Sequence, residues 1–547
     1  MLFLPNYWCG LIVASLALWS AWASPLAAQP ATLALENDTL EVSTLINNLD
    51  VPWEILWGPD NFIWMTERGG TVSRVNPDTG QKTEILDLND CIEWQESGLL
   101  GMVLHPDFAA NPYVYLVYTY LVGGSDLTER LVRYTYNGTA LTDPLILLDG
   151  IPGNATHIGS RLLITPDLKL IMTTGDAQDQ PSAQNTNDLT GKFLRLNLDG
   201  SIPDDNPIAN NPTYTFGHRN AQGLVLASNG IMYSSEHGPS NDDEFNIIIA
   251  NRNYGWPTVH GFCNLPNEIT FCNNNDVVEP LAAWTPTLAV AGIDYYNHPA
   301  IPDWQNCVLL CAMKAQRLIR MRLSQDGTEV LSQTNYLNNQ IGRIRDICIS
   351  PIGDVYISTS NEDAYGDGTP DRILRLHNPT FSIEAQPSFT SNDTCLSVQF
   401  TNTSVDADTY LWDFGDGYTT TDPSPLHLYA QAGTYTVQLT ATNIYGSNST
   451  STTVSVTDCS IGIDATIAQA LRLYPNPASL RLYIDYPSEL QGGTVEISLL
   501  NGQTVYTQSL PTNHTTFDLP VDALARGTYI ATFRHGSIVV SRVLSLQ

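Results

Sequence analysis

Ionisable residues recur at two phases of a pattern that runs through the first 378 residues. Eight to ten residues ahead of a short turn stand Asp50, Glu96, His157, Arg219 and Arg343. Just after the strand that follows the turn stand Glu67, Asp176, Glu236, Lys314 and Glu362. Arg219, Lys314, Arg343 and Arg345 make a cationic sector in a chain with 24 Lys+Arg against 56 Asp+Glu. Guanidinium groups meet carboxylates through paired hydrogen bonds, so this sector suits a small polyanionic ligand. His157 and Asp176 belong to one repeat and have the types of a general base and an orienting or substrate-binding carboxylate. A second cluster, EHGPSNDDE at Glu236–Glu244, offers hard oxygen donors of the kind calcium prefers, without the full EF-hand pattern. The bland alternatives are a channel of water and structural ion pairs for the first set, and a solvated acidic loop for the second.

The elements that must carry these residues are strands. Each repeat reads as an apolar strand, a turn, and a second strand ending in polar residues. The turns fall at Pro59-Asp60, Pro106-Asp107, Pro166-Asp167, Ser228-Asn229, His298-Pro299 and Pro351-Ile352. A third, alternating strand follows most of them, as in TVSRV, LVRYTY, FLRLNL, RLIRMRL and RILRLH. Strand-only repeats of roughly 40–50 residues or more are the mark of propeller blades. Six copies predict a six-bladed β-propeller over residues 40–378, and a β-helix, whose repeats are much shorter, is the rival. In a blade the first two strands are antiparallel. Both charged phases therefore emerge at one end of the central channel.

Composition bounds the rest. A formal charge of −32 disfavours nucleic acid and anionic membrane as partners. Residues 1–28 read as a signal peptide, with an apolar run from Leu11 to Trp22 but no Lys or Arg ahead of it, and no other stretch is apolar enough to span a bilayer. The chain is expected to be secreted or attached to the cell surface. Of the cysteines outside that leader, Cys263 and Cys272 are expected to close a short loop, and Cys395 and Cys459 bracket one domain. Cys91, Cys307, Cys311 and Cys348 cannot be paired from their spacing.

Beyond Pro379 the composition turns to Thr, Ser and Asn. YLWDFGDG at Tyr410–Gly417 and GTYTVQLTATNIYG at Gly433–Gly446 predict a small β-sandwich over residues 381–457 that resembles the immunoglobulin-like PKD domain. LRLYPNPAS at Leu471, with ARGTYIATF and SRVLSLQ near the end, makes residues 468–547 similar to the C-terminal sorting domain of the type IX secretion system. The fold class expected is therefore all-β: a six-bladed propeller followed by two small sandwich domains.

The propeller segments resemble the soluble PQQ-dependent glucose/sorbosone and aldose sugar dehydrogenases from about Leu45 to His377. The matching stretches are ESGLLGMVLHPDF, HIGSRLLITPDLKL, TTGD, GHRNAQG, SEHGPSNDDEFN, NYGWP, Lys314 and RIRD. The resemblance implies that His157 takes the proton from the sugar C1 hydroxyl while Asp176 and Arg219 hold the substrate and the quinone carbonyl. It implies that Asn220, Lys314, Arg343 and Arg345 bind PQQ. It places a calcium ion on the carbonyls of Gly238 and Pro239, with Asp243, Glu244 and Tyr254 as the structural part of the cluster. It sets Glu96 on the substrate side and Trp284 as an aromatic wall. Glu96 stands where the glucose enzymes carry Gln, so substrate preference does not carry over. The function expected is oxidation of an aldose to its lactone, with an external electron acceptor and the secretion machinery as further partners. The alternative is a non-catalytic, calcium-dependent propeller that binds carbohydrate or protein at the cell surface. A third reading is an adhesion protein dominated by its C-terminal modules.

Overall fold

The computed structural model describes residues 29–458, 465–536 and 538–547. The expected signal peptide and Cys459 lie outside the described residues.

Six antiparallel sheets carry the first compact unit. Their innermost strands are Pro52–Trp57, Leu99–Leu104, Gly159–Ile164, Ala221–Leu226, Val290–Tyr296 and Ile344–Ile349. Each packs on the next, and Ile344–Ile349 packs back on Pro52–Trp57, so the ring closes. All six expected turns join an innermost strand to the second strand of its blade. Those second strands are buried on both faces and read as unbroken buried runs, as in CVLLCA at Cys307–Ala312 and IWMTE at Ile63–Glu67. Outer strands such as Lys82–Asp87 are largely exposed. Removing the apolar faces from water is the main driving force for stacking the blades.

The sixth blade is completed from the other end of the unit. Thr39–Leu49 pairs with Asp371–His377, and Thr32–Ala34 pairs with Thr39–Leu49 in turn. The chain thereby staples its own ring shut, which leaves no open gap between first and last blades.

One irregularity repeats in every blade. The pairing of first and second strands shifts register near the start of the innermost strand, at Pro52/Glu54, Leu99/Met102, Gly159/Leu162, Ala221/Gly223, Val290/Ile293 and Ile344/Asp346. Bulges of this kind re-aim side chains at barrel rims. The inner strands also approach closely: a Cβ on Gly101 would lie 1.8 Å from the Ser160 carbonyl oxygen of the next blade. Only glycine fits there.

A ten-residue helix, Pro266–Asn275, interrupts the fourth blade, and the Cys263–Cys272 disulfide ties its start to its body. Cys91, Cys307, Cys311 and Cys348 are free thiols, three of them buried. Cys395 is disulfide-bonded.

The second unit, Ser382–Gln547, holds two sandwiches. One packs Phe400, Trp412, Phe414 and Val437 between a three- and a four-stranded sheet. The other packs Leu482, Ile497, Ala531 and Phe533 in the same manner. Among the described residues, no helix is long and apolar enough to cross a membrane.

Candidate active site

Residues beside the strand ends of five blades meet at one cleft of about 320 Å³. Glu96, His157, Arg219, Gly238, Pro239, Asp243, Lys314 and Arg343 all line it. They come from blades two to six and are brought together only by ring closure.

His157 enters the cleft with a backbone φ of 63°, a left-handed conformation uncommon outside glycine. Its amide donates to Glu96 Oε2 at 3.0 Å, and its carbonyl accepts from the Ala177 amide. Strain of this kind concentrates at functional sites, where surrounding bonds hold it. The ring nitrogens have distinct partners. Nδ1 lies 2.7 Å from Asp176 Oδ1, and Nε2 lies 3.0 Å from the Arg219 guanidinium. Guanidinium groups only donate, so Nε2 holds the lone pair and Nδ1 carries the proton. Asp176 is fully buried, and its other oxygen accepts from the Trp256 indole at 2.8 Å. The Nε2 lone pair thus faces the Arg219 guanidinium, and both residues line the cleft.

Arg219 also donates to the His237 carbonyl at 3.1 Å, while its Nε has no partner. Burial lowers its pKa from the ordinary arginine value. Beneath it, Glu236 accepts from the Arg219 amide and pairs with His218, so this carboxylate is spent on holding the strand end. His237 was not singled out by the sequence. Burial lowers its pKa to about 4, which keeps it neutral, and its Nε2 has no partner.

The cationic side is only partly compensated. Arg343 is paired with Asp363 at 3.0 Å. Burial opposes the charge of Asp363, yet Arg343 and Arg345 hold its pKa below the usual value. Lys314 reaches only Thr287, at 3.2 Å. Arg345 lies behind the cleft wall, where burial lowers its pKa to about 10. Its one hydrogen-bond partner is the neutral Gln222, and its Nε has none. Unpaired buried cations are costly, and a polyanion at the mouth would relieve that cost.

Several expectations meet a different arrangement. The charged phases do not form one ring: Glu67 is taken by Lys82, and Asp50 sits among Glu93, Glu67 and Glu362, which with burial raise its pKa. Asn220 is buried, its side-chain oxygen accepting from Gly159 and Gln222 rather than facing the cleft. Trp284 is not in the cleft wall. It lies on an outermost strand, Ala282–Trp284, and its indole donates to Gln333 of the neighbouring blade. Of the expected calcium residues, Glu244 and Tyr254 line one small pocket together with Gly238 and Pro239, while Asp243 lines the larger cleft with the same two residues. Asp243 accepts from the amides of Gly238, Leu288 and Val290. Glu244 accepts from Gly261, and the Tyr254 hydroxyl is shared between Ile247 and Ile249. Among the described residues, no cluster of three or more His, Cys, Asp or Glu converges as a metal site. Gly238 and Pro239 line the cleft.

Tyr365, Met313 and Thr287 also line the cleft. Tyr365 lies in the acidic, glycine-rich stretch DAYGDGTPD, which carries no signature of a site. Trp256 lies in the NYGWP segment, where nothing local marks its indole as a partner of Asp176.

Residues 49–368 match the family model described as glucose / sorbosone dehydrogenase. Residues 376–457 match the PKD domain, and 472–546 match the secretion system C-terminal sorting domain. Quinoprotein glucose dehydrogenase B of Acinetobacter calcoaceticus is 38% identical over 412 residues, covering 59% of this chain and 86% of that protein. Aldose sugar dehydrogenase YliI of Escherichia coli is 31% identical, covering 64% and 94%. The PQQ-bound aldose sugar dehydrogenase of Streptomyces coelicolor superposes with a TM-score of 0.55 at 32% identity, covering 64% of this chain and 99% of that one.

Proposed function

The chain belongs to the glucose/sorbosone dehydrogenase family, and from that premise we propose that it is an exported oxidoreductase that oxidises an aldose at its C1 hydroxyl to the lactone. The observation that carries this reading is the His157–Asp176 pair, which opens into the same cleft as Lys314 and Arg343.

PQQ, when bound, supplies the two-electron acceptor for the C1 hydride. The residues present fit its carboxylates: Lys314 and Arg343, which line the cleft, would hold it, and the buried Arg345 and Asn220 would support that wall. A sugar hydroxyl that takes the place of Arg219 at His157 Nε2 donates to the same lone pair. His157 then accepts the hydroxyl proton, and Asp176 stabilises the imidazolium that results. Arg219, which lines the same cleft, would donate to oxygen where negative charge develops. Glu96 offers the sugar a carboxylate acceptor. Calcium belongs to this reading only at the Gly238 and Pro239 carbonyls, and proton transfer does not depend on it. The C-terminal sorting domain assigns export to the type IX route.

The test is reconstitution of the purified chain with PQQ and calcium, followed by aldose-dependent dye reduction. Activity is expected, and His157→Ala should remove about 10²–10⁴ of the rate, the range of a positioned general base. A reconstituted chain that reduces no dye with any aldose refutes the proposal.

A further inference from the structure

Both oxygens of the buried Asp176 carboxylate are claimed. Oδ1 faces the His157 ring and also accepts from the Gln178 amide at 2.8 Å. Oδ2 accepts from the Trp256 indole at 2.8 Å. An indole N–H can only donate, so it occupies Oδ2 as an acceptor. That bond fixes the carboxylate plane and leaves Oδ1 to accept the Nδ1 proton of His157, with the lone pair on Nε2.

Trp256 is itself held on three sides. Its amide donates to the Gly217 carbonyl at 3.0 Å. Its carbonyl accepts from Gln184 Nε2 at 2.6 Å, and Gln184 exchanges two hydrogen bonds with Asn253. The ring stacks on His260 with centroids 5.2 Å apart. The Arg219 guanidinium carbon lies 5.4 Å from the ring centroid. One side chain thus touches Asp176, the partner of Nδ1, and Arg219, the partner of Nε2.

We infer that Trp256, clamped by Gln184, is a positioning residue that sets the orientation and tautomer of His157 through Asp176. Its kinetic consequence rests on the dehydrogenase reading, but the tautomer can be read without turnover.

The kinetic experiment uses the full chain reconstituted with PQQ. Trp256→Phe keeps the ring and removes only the donor. It should lower kcat about tenfold, part of what a general base contributes, with KM and PQQ affinity within about twofold. In an Asp176→Asn background the same change should cost less than about twofold, because residues acting as one unit are not additive. Equal losses in both backgrounds, or an unchanged kcat, overturn the inference. If Trp256→Phe does not fold, Gln184→Ala, which removes the donor to the Trp256 backbone carbonyl and leaves the indole in place, should lower kcat in the same direction at constant KM. An unchanged kcat there overturns the inference as well. Nitrogen-15 NMR of the His157 ring supplies the second readout. Wild type should show the Nδ1-protonated tautomer and Trp256→Phe a mixture, whether or not a sugar is oxidised. A pure Nδ1-protonated ring in the variant refutes the positioning role. An inactive wild type with the expected spectra refutes the dehydrogenase reading alone.

Discussion

At the residue scale, the contrast between Lys314 and Arg343 separates ligand binding from folding. Arg343 neutralises the buried Asp363 at 3.0 Å, so its removal strands a carboxylate and destabilises the chain as well as the cofactor site. Lys314 reaches only the Thr287 hydroxyl and faces the cleft. Lys314→Ala should therefore weaken PQQ binding by about 1.5–3 kcal/mol, the value of a hydrogen bond to a charged group. Its melting temperature should stay unchanged, with fluorescence titration and thermal melting as the two measurements. His157, Asp176 and Arg219 were readable from repeat phase because each stands immediately outside a strand end. Asn220, Arg345 and Trp284 were placed less well. Phase gives the height of a residue along the channel, while neighbouring blades decide whether its side chain enters the cleft or the wall.

At the scale of elements, the blades meet across buried acids as well as apolar faces. Glu129, on the strand Asp126–Tyr136, is buried and bonded to Ser160 of the next blade at 2.5 Å. Burial raises its pKa from 4.5 to about 8, since Ser160 is a neutral partner. The folded state therefore holds a proton that the unfolded state has released between these two values. Stability contributed here is present below the lower value and is lost as pH rises toward about 8. Glu129→Gln, neutral throughout, should flatten the fall in melting temperature between about pH 5 and pH 8. The comparison of slopes isolates this group from the other buried acids. The six turns and the third strands were visible in the sequence through alternation and Pro/Gly punctuation. The six register shifts were not, because a bulge depends on pairing between strands and leaves no fixed local signature.

At the scale of the whole molecule, ring closure is the decisive event. Asp371–His377 obtains its outer partner from Thr39–Leu49, more than three hundred residues away in the chain. Without that partner the sixth blade ends in an unpaired strand edge, a template for association. A chain lacking residues 29–49 should melt at lower temperature and form oligomers, measured by thermal unfolding and size-exclusion chromatography. The proposed aldose oxidation should be lost with it, since Arg343 and Lys314 stand on the last two blades.

The sequence by itself determined the all-β class, the six repeats and the family. It also supplied the chemical inventory of a base, its carboxylate and four cations, because strand alternation, turn residues and short motifs are local properties. Tertiary structure alone decided which of those groups share a cleft. It spent Glu67 and Glu236 on structural partners, turned Trp284 outward and set Glu244 and Tyr254 in a small pocket beside Gly238 and Pro239. It also brought Trp256 to Asp176 across eighty residues of chain. Such contacts arise from the packing of one blade against the next, and no local pattern encodes them.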